Sequence, residues 1–95
     1  MKKMTINLRQ TTRRLRFLDL KINVIPLDES QLDQIEELVP LINDSIIDVA
    51  GKMTPDTLNS VAGKIIFETR LKKLINYRNK KDIIKKILFT RFVIQ

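Results

Sequence analysis

The chain reads as a single α+β domain, an antiparallel sheet with helices packed on one face. Three observations lead there: an alternating strand pattern near the N-terminus, a central run of apolar residues at helical spacing, and a strand-like segment closing the chain. Together they give the order β-β-α-α-α-β. Ninety-five residues make one domain, 1–95, and an apolar fraction of 43% is enough to build a core. No internal repeat or low-complexity tract interrupts it.

Thr5-Ile6-Asn7-Leu8-Arg9 is the first strand, with Ile6 and Leu8 on one side, and Gln10-Thr11-Thr12 is the turn that follows. A long strand then runs from Arg14 to Leu27. Leu18, Leu20, Ile22 and Val24 share its inner face, Asp19, Lys21 and Asn23 its outer one, and Pro26 ends it. Ser30 is placed as the N-cap of a helix over 30–50, with Asp33 completing a short-armed capping box. Leu32, Ile35, Leu38, Val39, Ile42, Ile46, Val49 and Ala50 form its apolar stripe. Pro40 predicts a kink and not a stop, because the stripe continues in phase beyond it, and Gly51 suits the C′ position. Thr54-Pro55-Asp56 starts a short helix over 55–61, burying Leu58, Val61 and Ala62. A bend at Gly63 and a longer helix over 64–78 follow, with Phe67, Leu71, Leu74 and Ile75 inward. Residues 77–82 read as a polar connector. The closing strand, 83–95, is apolar on both faces from Ile87 onward: Ile87, Phe89 and Val93 on one, Leu88, Phe92 and Ile94 on the other. That pattern predicts a central strand.

The chain has no Cys and no His, which removes disulfides, the common zinc ligand sets and every His-based catalytic pair. The neighbouring acids Asp28-Glu29 and Glu36-Glu37 point in different directions on a helix, and Gly51 and Gly63 are too isolated for a phosphate loop. No catalytic, cofactor or metal site is expected, and the chain is not read as an enzyme. No spanning helix is legible either, since Arg9, Arg13, Arg14 and Arg16 interrupt the apolar run near the start.

Net charge is +7, distributed in blocks: +6 over residues 1–27, −7 over 28–60 and +8 over 61–95. Such a layout suits complementary faces, within one fold or between copies. The polar face of the acidic helix gathers Asp33, Glu37 and Asp44, with Leu41 and Ile47 displaced from the core stripe toward its edges. Ile65 and Ile66 are displaced likewise from the Phe67–Leu71 face, beside Arg70, Lys72 and Lys73. These ten residues make a candidate protein–protein surface, the acidic helix of one copy against the basic residues of the next in a homo-oligomer. A small basic nucleic-acid-binding module is the alternative, weakened by the scarcity of stacking aromatics and by the acidic helix.

The ending Phe89-Thr90-Arg91-Phe92-Val93-Ile94-Gln95, preceded by Ile87-Leu88, resembles the C-terminus of the flagellar basal-body-associated FliL family. Asn7-Leu8, Arg14 to Leu18, Val39-Pro40-Leu41-Ile42-Asn43-Asp44, Thr57-Leu58, Gly63-Lys64 and Ile75-Asn76 follow that family's order and spacing. Leu88 stands where the family often has Tyr, and the loop from Asn76 to Ile83 is more basic. The resemblance implies a stomatin/prohibitin-like periplasmic domain, held at the inner membrane of the flagellar basal body by an upstream helix not present here. It also implies stator proteins MotA and MotB as partners, a ring of copies, and a non-catalytic role in stator activation and torque.

Overall fold

The computed structural model describes residues 4–8 and 16–95. Strands β1 (Met4–Asn7), β2 (Phe17–Pro26) and β3 (Ile84–Ile94) form an antiparallel sheet in the order β1-β2-β3. Helices α1 (Leu32–Glu37), α2 (Val39–Gly51), α3 (Pro55–Leu58) and α4 (Val61–Asn79) lie between β2 and β3 in the chain. The α+β class with an antiparallel sheet therefore stands. The expected turn at Gln10-Thr11-Thr12 and the strand start at Arg14 lie outside the described residues.

The inner face of the sheet presents Ile6, Leu18, Leu20, Ile22 and Ile87 to a core completed by Ile35, Ile42, Ile46, Leu58, Phe67, Leu71 and Ile75. Phe67 of α4 meets Phe89 and Phe92 of β3 with ring centroids 5.7 and 6.1 Å away, a tilted and an edge-on contact. The opposite face is open: Ile25, Leu88 and Val93 are each about two-fifths exposed.

The closing strand is an edge strand, not the central one; β2 holds the middle. Its two-sided apolar pattern comes from two β-bulges. Lys21 pairs Arg91 while Ile22 pairs Phe89, leaving Thr90 as an extra residue; Ile25 pairs Lys86 while Pro26 pairs Ile84, leaving Lys85 extra. Each insertion reverses the alternation, so Ile84, Ile87, Phe89, Phe92 and Ile94 all face the core, and Leu88 and Val93 face out. The Thr90 hydroxyl donates to the Lys21 carbonyl at 3.2 Å and anchors the first bulge.

The helical region divides more finely than its stripe predicts. Asp28, not Ser30, is the N-terminal cap: its side chain accepts from the Ser30 N–H while Gln31 accepts from the Asp28 N–H, around a 3-10 turn at Glu29–Gln31. At Pro40 the helix breaks instead of kinking. Proline has no N–H and its ring crowds the preceding turn, so the chain resets at Leu38 and α2 begins with Pro40 in its first turn. Leu32, ahead of the break, is half exposed and drops out of the stripe. Gly51 is helical and adopts no positive φ, so it is not a C′ residue.

Thr54 caps α3 as expected, its hydroxyl accepting from the Thr57 N–H. The next boundary lies earlier than predicted. Ser60 caps α4, its hydroxyl accepting from the Gly63 N–H at 2.9 Å. Gly63 is thus inside the first turn of α4 and is no bend. A Cβ there would lie 1.7 Å from the Thr57 carbonyl oxygen, so the glycine permits α3 and α4 to approach. Because Leu58 and Phe67 belong to different helices, no common phase relates them, and Val61 and Ala62 are exposed instead of buried. The expected connector begins late: α4 continues through Tyr77 to Asn79 and ends at Lys80 in the left-handed conformation, φ 61°.

Candidate interaction surface

Inward residues Phe67, Leu71 and Ile75 fix the orientation of α4 by burying one side completely. At about 100° per residue, the other side carries Val61, Ala62, Ile65, Ile66 and Thr69, then Arg70, Lys73 and Tyr77. Val61 is 77% exposed, Ile65 58%, Ile66 40% and Tyr77 81%. Single exposed aliphatics are ordinary; here Ile66 and Tyr77 lie on one exposed stripe of α4 with Arg70 and Lys73, while Val61 and Ile65 lie on a second stripe beside Lys72.

Of the ten residues singled out from the sequence, Ile66, Arg70 and Lys73 share one exposed stripe of α4, and Ile65 and the half-buried Lys72 share the other. Asp33 and Glu37 are exposed on α1, and Ile47 is half exposed on α2. Leu41 is not displaced from the core; it packs against it, partly buried. Asp44 is exposed but engaged.

Its partner is Arg78, near the end of α4. The guanidinium donates from Nη1 to Asp44 Oδ2 at 3.1 Å and to Ser45 Oγ at 3.2 Å, and from Nη2 to the Asp48 carboxylate. Its hydrogen bond to Asp48, with the charges of Asp48 and Asp44 behind it, raises the Arg78 pKa above the ordinary arginine value. The acidic and basic segments therefore do meet within one chain, through α2 and α4. Asp33, Glu36 and Glu37 on α1 take part in none of the ion pairs among the described residues.

Sequence reasoning missed Val61 and Tyr77. α4 starts at Val61, three residues before the helix expected over 64–78, and Ser60 ahead of it is a legible N-cap. Tyr77 belongs to α4 and not to the expected connector, so its exposure marks a helix face.

Two open clefts flank the C-terminal half of this face. One is lined by Arg70, Lys73, Leu74 and Tyr77, the other by Lys73, Asn76, Tyr77, Lys80, Lys81 and Asp82. Among the described residues no group of three acids, histidines or cysteines is placed to hold a metal ion. None of the described helices is long and apolar enough to cross a membrane.

A family model described as flagellar basal body-associated protein FliL matches residues 1–95. No curated protein matches the chain.

Proposed function

The chain belongs to the flagellar basal body-associated FliL family, and from that premise we propose that it is a non-catalytic accessory domain of the flagellar motor. In this reading it lies in the periplasm at the inner membrane, assembles with further copies into a ring, and binds the stator proteins MotA and MotB. The observation that carries the reading is the family match over the whole chain. The exposed face of α4 supports the assembly step. Val61, Ile65 and Ile66 supply apolar area, and Arg70, Lys72 and Lys73 supply charge that complements Asp33 and Glu37 of a neighbouring copy. The contact is heterologous, the kind that closes into a ring when the rotation permits. The mechanism is a shift of population: a ring that binds the linker of MotB in one stator state favours that state by no more than its differential affinity. A stomatin/prohibitin-like arrangement of the domain belongs to the same proposal.

Asp44 is held by Arg78 within the chain, so the cleaner test reverses charge on α1. Asp33→Lys with Glu37→Lys is expected to weaken self-association in sedimentation, and Ile65→Lys to abolish it. Unchanged assembly in both variants would remove the ring interface from the proposal. Capture of a MotB periplasmic fragment, measured separately, tests the stator contact; failure of wild-type protein to retain it removes that partner.

A further inference from the structure

The two clefts at the end of α4 are adjacent and unlike. Lys73 and Tyr77 line both. The cleft that holds Arg70 and Leu74 is almost wholly apolar in its lining; around the other the lysines Lys73, Lys80 and Lys81 outnumber the single acid Asp82. The corner is held rigid. Asn76 Oδ1 accepts from the N–H groups of Ile83 and Ile84 at 3.0 and 3.2 Å, tying the start of β3 to α4. Lysines at a helix C-terminus also complement the helix dipole, which accounts for some of this charge. It does not account for Tyr77, 81% exposed and lining both clefts.

An anionic phosphate group needs only the cations, and single-stranded nucleic acid needs repeated stacking platforms. An apolar groove beside a cationic cleft, with a tyrosine where they meet, matches an amphiphile with an anionic headgroup. Tyrosine and lysine are the side chains that settle at a membrane–water interface, ring in the headgroup layer and ammonium toward phosphate.

The direction of β1 is an independent observation. Met4 pairs Leu20 and Asn7 pairs Phe17, so β1 enters the sheet from the side of Pro26. Pro26 pairs Ile84, the residue that follows the Lys80–Lys81 corner. From Met4, abreast of Leu20, β1 thus runs away from the end of the sheet that carries the basic cleft.

We propose that this corner, formed by Lys73, Tyr77, Lys80 and Lys81, is a docking surface for the anionic phospholipid headgroups of a bilayer. It turns the Pro26–Ile84 end of the domain toward the membrane. The proposal rests on the membrane-associated placement above and adds the face that meets the lipid. Self-association is read in lipid-free buffer, so the two can fail separately.

Vesicle co-sedimentation of the 95-residue chain tests it, using phosphatidylcholine vesicles with and without phosphatidylglycerol. Binding is expected only with phosphatidylglycerol, and unchanged by added inorganic phosphate at constant ionic strength. Each unit of charge near such a surface is worth about fivefold in partitioning, so Lys80→Glu with Lys81→Glu, which leaves the proposed contact between copies untouched, is expected to reduce binding at least about 25-fold. Lys21→Glu with Lys64→Glu makes the same change of net charge in the middle of β2 and in the first turn of α4, about 24 Å along the helix from Lys80, and is expected to leave most of the binding. Tyr77→Trp reports insertion directly, by a blue shift of its emission on anionic vesicles. Equal losses in the two charge-reversed pairs, or no shift from Tyr77→Trp, would overturn the proposal. So would displacement of the protein from vesicles by single-stranded DNA through the same lysines, which assigns the corner to nucleic acid.

Discussion

Asn76 does more for the fold than its half-exposed position suggests. Its one carbonyl oxygen satisfies two backbone N–H groups, of Ile83 and Ile84, both residues fully or almost fully buried. Asn76→Ala leaves those donors without a partner and is expected to cost about 1–3 kcal/mol in urea unfolding, while Asn76→Asp, which keeps the acceptor, costs less. The two glycines predict opposite signs. Gly63→Ala drives a methyl into the Thr57 carbonyl and is expected to destabilise by about 1–3 kcal/mol despite alanine's better helix propensity. Gly51 has nothing within 4 Å of an added Cβ and a helical backbone, so Gly51→Ala is expected to stabilise by about 0.5–1 kcal/mol. Arg78→Lys loses the fork that spans Asp44, Ser45 and Asp48 and should lower the midpoint of unfolding. The pKa of Arg78 is raised in the folded state, so its contribution is complete below the ordinary arginine pKa. It is lost only as pH rises through the raised value, and gives no switch near neutrality.

At the scale of elements, β3 shows how a two-residue period can mislead. Two insertions, Lys85 and Thr90, return five apolar side chains to one face over eleven residues. Ile87→Ala is accordingly expected to cost about 2–5 kcal/mol, whereas Leu88→Lys on the open face stays within about 0.5 kcal/mol; chemical denaturation of the pair distinguishes a one-sided from a two-sided strand. The bulges also bend an edge that carries Lys85, Lys86 and Arg91, features that discourage edge-to-edge pairing. The long helical stripe misled in the same manner. Ile35, Ile42 and Ile46 are core residues as their spacing predicts, but a spacing that survives the Leu38 break could not reveal it.

Across the whole molecule, the charge layout is only partly resolved within the chain. α2 and α4 exchange charge through Arg78, and Asp19 on the open sheet face is nearly buried beneath Thr5, Arg91 and Gln95. The acids of α1 and the cations Arg70, Lys73, Lys80 and Lys81 join none of the ion pairs among the described residues. If α1 and α4 of neighbouring copies meet through them, raising ionic strength through the physiological range shortens the Debye length to about 8 Å and is expected to dissociate the assembly in sedimentation. Association that strengthens with salt would mark the aliphatic residues Val61, Ile65 and Ile66 as the dominant contact instead.

The amino-acid sequence by itself determined the class of the fold, the inward residues of β2 and α4, the cap at Thr54 and the family. Each of these is written in residues close together in the chain: an alternation, a helical repeat, a hydroxyl before a proline, a closing motif. The tertiary structure decided what depends on partners distant in sequence. Whether β3 lies at the centre or the edge depends on what pairs with its far side, and its bulges become visible only against the register of β2. Gly63 acquires its role from the Thr57 carbonyl, and Val61, Ile65 and Tyr77 are exposed because none of the described elements covers them. Exposure is a property of packing between elements, and local periodicity reports only which residues share a side.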